Sequence, residues 1–68
     1  MTQREHDEDL LTATEAAIEE CAAAIIAIAS IPEDRLREGD KLALRDYEEA
    51  KAGLVEIREE LLSRLAAA

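Results

Sequence analysis

The stretch Cys21-Ala-Ala-Ala-Ile-Ile-Ala-Ile-Ala-Ser-Ile-Pro32 carries no charge, in a chain where 37% of residues are charged. It is too short to cross a bilayer, which takes about 20 apolar residues. It is also apolar on every side, and a helix of that kind is buried from several directions. In a chain of 68 residues, neighbouring chains are the expected cover, because a single domain of this size is marginal alone.

Toward the N-terminus the stretch continues a regular pattern. Leu11, Thr14, Ile18, Cys21, Ile25 and Ile28 alternate spacings of three and four, the a/d seam of a heptad repeat. Leu10, Ala17, Ala24 and Ile31 widen it on one flank, and Ala22, Ile26 and Ala29 on the other. Such breadth exceeds what one partner helix covers. Asp7 or Asp9 is the expected cap, its charge favouring the positive end of the helix dipole. His6 falls in the segment before it, which is expected to fray.

Toward the C-terminus a second seam runs through Ala43, Tyr47, Ala50, Leu54, Ile57 and Leu61, with Leu44, Leu62 and Leu65 thickening its ends. Pairs at helix-neighbour spacing (Arg45 with Glu49, Glu48 with Lys51, Glu60 with Arg64) each add only about 0.2–0.5 kcal/mol. Gly53 interrupts this helix at a cost of about 1 kcal/mol relative to Ala, explained by a close helix approach or by tolerance. Between the two patterns Pro32 stops the first helix, and Ser30 with Glu33 matches a capping box. A short helical turn is expected over Pro32–Arg37, closed by Gly39, with Asp40 capping the second helix.

The expected fold is all-α: an antiparallel two-helix hairpin with helix 1 over residues 8–30, a connection over 31–40 and helix 2 over 41–66, forming one domain. Two copies are expected to join as a four-helix bundle with helix 1 at the centre. The expected self-association core is Leu11, Ile18, Cys21, Ala22, Ile25, Ile26, Ile28, Ala29, Tyr47, Leu54, Ile57 and Leu61.

Composition narrows the function. The net charge is −9, which disfavours direct binding to nucleic acid or to an anionic membrane. Residues 1–30 hold seven acids against Arg4 alone, while residues 31–68 hold ten acids and seven bases. The acids Glu5, Glu8, Asp9, Glu15, Glu19 and Glu20 form a candidate partner-facing stripe suited to a basic surface, although a solubilising role explains them too. The N-terminal residues are polar and acidic where a secretory leader needs a basic and then an apolar region, so a cytoplasmic location is expected.

Catalysis is not expected. The neighbouring pairs Glu19-Glu20, Glu48-Glu49 and Glu59-Glu60 point in different directions on a helix, and solvated surroundings give no reason for a catalytic pKa. A carboxylate-bridged metal centre would need Glu-x-x-His motifs turned inward, and His6 is the only histidine. Cys21 lies on a seam without positive charge beside it, as a buried apolar group rather than a reactive thiol. Tyr47 is expected to pack its ring between the helices. No cofactor is implied.

The architecture is similar to that of the small plasmid-copy-control helical-hairpin dimers, though none of their motifs is present. Gly39-Asp40, followed by Leu42, Arg45 and the Leu54–Leu65 segment, resembles small head–tail joining proteins of tailed phages over less than half the chain. The expected function is therefore a homodimeric, non-catalytic interaction module that binds and modulates another protein. The alternatives are a structural subunit of a larger assembly, virion-associated if the phage resemblance holds, and an acidic mimic of nucleic acid occupying a basic groove.

Overall fold

The computed structural model describes residues 2–67. Two long helices, α1 (Gln3–Ala29) and α2 (Glu38–Ala67), are joined by a connection that contains one 3-10 turn, Glu33–Arg35. No strand occurs among the described residues. The helices lie antiparallel along each other in a rod of 51 × 15 × 14 Å.

Helix α1 begins earlier than its apolar pattern does. Thr2, in extended conformation, is the N-cap, and its hydroxyl accepts a hydrogen bond from the Glu5 backbone N–H at 3.1 Å. Asp7 and Asp9 therefore sit inside the helix instead of capping it, and His6 is helical. A capped first turn outweighs the absence of apolar residues there, since a good cap contributes about 1 kcal/mol.

At the other end of α1 the Ser30 hydroxyl bonds back to the Ile26 carbonyl at 2.8 Å. That carbonyl also accepts the Ser30 backbone N–H at 3.0 Å, so the hydroxyl adds a second bond there and does not cap the 3-10 turn, which has no side-chain cap. The capping box expected of Ser30 and Glu33 is thus not made. Pro32, which has no N–H to continue the ladder, turns the chain, and the Arg35 N–H bonds the Pro32 carbonyl at 2.9 Å. The turn is tighter than the one expected over Pro32–Arg37. Gly39 lies within the first turn of α2 rather than closing the preceding one. Asp40 acts from inside that turn: its Oδ2 accepts from the Arg37 N–H at 3.0 Å, the back-reaching half of a capping box.

The seam of α1 follows its sequence pattern. Ile18 and Thr14 are buried, and Leu11, Cys21, Ile25 and Ile28 are half-buried. Thr14 tolerates burial because its hydroxyl donates to the Leu10 carbonyl at 2.7 Å, so no polar group is left unpaired.

Helix α2 turns a different line inward. Leu54 and Leu61 face α1 as expected, Leu61 being only 2% exposed. Half-buried beside them are Ala43, Leu44, Lys51, Val55, Arg58 and Leu65, while Ala50 and Ile57 are exposed and Tyr47 remains 42% exposed. The alternative line 44, 47, 51, 54, 58, 61, 65 has the same three-and-four rhythm, shifted by one residue at every second step. At its two ends Leu44 and Leu65 offer more apolar surface than Ala43 and Arg64, which hold the corresponding steps of the expected line. The hydrocarbon stems of Lys51 and Arg58 cover what remains while their charged ends reach water. At Gly53 an added Cβ would meet nothing within 4 Å, so close approach between the two helices of the hairpin does not account for this glycine.

The hairpin depends most on Leu61. Leu61→Ala is expected to lower its stability by about 2–5 kcal/mol, enough to abolish a cooperative urea transition followed by circular dichroism. Ala50→Ser, at an exposed position, should leave the transition within about 0.5 kcal/mol.

Candidate interaction surface

One buried acid fixes the register of the two helices. Asp7 is only 4% exposed. Its Oδ1 accepts a hydrogen bond from Gln3 Nε2 at 3.0 Å and another from Arg64 Nη2 at 3.1 Å. The Arg64 contact is also an ion pair, and Arg4 Nη1 donates to the Leu65 carbonyl at 3.5 Å beside it. This polar clamp ties the start of α1 to the end of α2. It also takes Asp7 out of the His6-Asp7-Glu8-Asp9 run, whose other members are exposed. Among the described residues no three His, Cys, Asp or Glu side chains converge as a metal-ligand group.

The clamp also defines the sides of the rod. Residues seven apart on a helix lie almost in line, because two turns take 7.2 residues. Gln3 heads the row Leu10, Ala17, Ala24, after which Ile31 falls beyond the end of α1; Arg64 ends the row Ala43, Ala50, Ile57. Since Gln3 and Arg64 meet on one oxygen, the two rows border the same flank of the seam. Leu10 is 40% exposed and Ile57 47%, while Ala17, Ala24, Ile31 and Ala43 are half-buried. Apart from the clamp at its end, neither row carries a charge.

The opposite flank is mixed. Ala22 is half-buried there, Ala29 is exposed, and Ile26 is the most exposed of the large apolar side chains at 66%. Glu8 and Glu15 precede Ala22 in the same row, and Glu19 lies beside them. On this side an open depression of about 430 Å³ is lined by Ile25, Glu48, Lys51, Ala52 and Val55.

The six acids singled out in the sequence, Glu5, Glu8, Asp9, Glu15, Glu19 and Glu20, are all exposed. Glu8, Glu15 and Glu19 follow the Ile26 flank, with Glu5 next to them, and Asp9 and Glu20 lie on the outward back of α1. Arg4 pairs with Glu8 at 3.2 Å, the one ion pair among the described residues that engages this group. Of the expected self-association residues, Leu11, Ile18, Cys21, Ala22, Ile25, Ile28, Leu54 and Leu61 are buried or half-buried within the hairpin. Ile26, Ala29, Tyr47 and Ile57 remain exposed. Cys21 is a free thiol.

The clamp residues Gln3, Asp7 and Arg64 are not legible as a unit in the sequence. Asp7 and Arg64 are 57 positions apart, so no local signal joins them. The one local hint is that Arg64 continues the spacing of the Leu61 series. No helix is long and apolar enough to cross a membrane among the described residues. Compared with family models, curated proteins and solved structures, the chain has no significant match of any kind.

Removing one side of the clamp should cost more than removing both. Arg64→Met leaves a buried carboxylate with Gln3 alone and is expected to destabilise by about 1–3 kcal/mol. The double variant Asp7→Leu/Arg64→Met should recover most of that loss, because a buried pair replaced by apolar groups is often neutral. Urea denaturation of the variants measures this directly.

Proposed function

We propose that this chain is a non-catalytic interaction module: an acidic helical hairpin that pairs with a second copy of itself and binds and modulates another protein. The observation that carries the reading is how little of the apolar surface the hairpin encloses. Among the described residues only Ile18 and Leu61 are buried hydrophobics, while Leu10, Ile26, Leu42, Tyr47, Ile57 and Leu62 are exposed. Exposed apolar surface of this extent marks an interaction site on soluble proteins, and twofold dimers are the commonest way of covering it.

The partner's chemistry follows from the charge. Acids on α1 have Arg4 as their only local base, so the surface they dominate suits a basic partner and would speed its encounter. A dimer keeps two such surfaces. The second reading, a structural subunit of a larger assembly, is supported by Leu42 and Leu62, 57% and 47% exposed, which lie outside the row ending at Ile57 and would meet further neighbours.

Sedimentation equilibrium at micromolar concentration separates these. The module predicts a discrete dimer, the structural subunit predicts rings or large aggregates, and a compact species of 7.5 kDa would contradict both. Affinity capture from the native host, read by mass spectrometry, should return one dominant partner at low salt. That partner should be lost as salt rises if acids carry the contact.

A further inference from the structure

We propose that the second copy docks on one particular flank of the rod, the uncharged face formed by Leu10, Ala17 and Ala24 of α1 with Ala50 and Ile57 of α2; the proposal rests on the reading that the chain self-associates. Three observations lead to this face and to this occupant.

The first is area. The chain exposes 5145 Å², whereas a compact monomer of 7.5 kDa exposes about 4,250 Å². The excess, about 900 Å², is close to the ~800 Å² that each partner gives to an interface of standard size. A second rod lying alongside covers an area of that order.

The second is charge. A face that meets its own copy across a twofold axis meets its own charges as well. The Leu10–Ile57 flank brings none along its length, and its polar neighbours (His6, Glu20, Asp46, Glu60) lie on the next rows outward, where they form a rim. The Ile26 flank would bring Glu8, Glu15 and Glu19 toward their equivalents, in a chain whose net charge is already −9.

The third is shape. Ala17, Ala24 and Ala50 keep the face low, and Gly53 borders it with open space above, so a neighbouring helix can approach to the 8–10 Å or so of ordinary helix packing. Leu10 begins its row and Ile57 precedes Arg64 in the other, so both stand toward the clamped end of the rod as the large side chains that such an approach buries. The second copy completes a four-helix bundle and leaves the acids of α1 outside it.

The test is sedimentation of the full chain beside three variants, with helicity followed by circular dichroism. Ile57→Glu and Ala50→Glu place a charge on the proposed face at positions exposed in the hairpin, and Ile26→Glu places one on the opposite flank. The expected result is a dimer for the unaltered chain and for Ile26→Glu, and helical monomers for Ile57→Glu and Ala50→Glu. Two variants guard against one that fails to fold, since either helical monomer is informative. A dimer that survives both Ile57→Glu and Ala50→Glu, or one that only Ile26→Glu dissociates, overturns the face while leaving self-association standing. A monomeric unaltered chain overturns the self-association reading itself.

Discussion

A seam between two helices can cover only a strip of each, and this constraint governs the whole molecule. Two cylinders touch along a line, so residues on the a and d positions are enclosed and those on the flanks remain half open. Here the line is closed at one end by the Asp7–Arg64 clamp and held by Leu61 and Ile18, the two buried hydrophobics among the described residues. What the clamp adds is alignment. It holds the start of α1 against the end of α2, and thereby decides which flanks of the two helices share a side.

Much of the hairpin is legible in the sequence because it rests on local signals. The three-and-four rhythm of Leu11 through Ile28, Pro32 as a stop and the short connection are enough for two antiparallel helices. The inward line of α2 is not legible from apolar spacing. Lys51 and Arg58 count as surface residues in any such pattern, yet their stems cover the seam, and the line they complete displaces Ala50 and Ile57 outward. Thr2 and Asp40 show a second gap. Caps depend on backbone geometry at one residue, and several Thr, Ser and Asp residues near each helix start satisfy the same rule. Asp7 shows a third, since its burial requires Arg64 from the far end of the chain.

The displacement of Ile57 bears on function. Had Ala50 and Ile57 faced α1, the hairpin would have spent these apolar positions on itself. Instead these positions join the Leu10 row in an uncharged flank, while the acids of α1 occupy the other flank and the back. On the proposed reading this segregation gives one face to a second copy and one to a different, basic partner. Uncharged surfaces favour close packing, and a cluster of like charges favours an oppositely charged neighbour.

One hairpin leaves Leu10, Ile26, Leu42, Tyr47, Ile57 and Leu62 exposed, and on the proposed reading a second copy covers part of that surface and stabilises the fold. The most direct measurement is the thermal unfolding midpoint by circular dichroism across a hundredfold range of protein concentration. Association that stabilises the folded hairpin predicts a midpoint that rises steadily with concentration. A midpoint that stays constant across the range, with a cooperative transition, would contradict the claim.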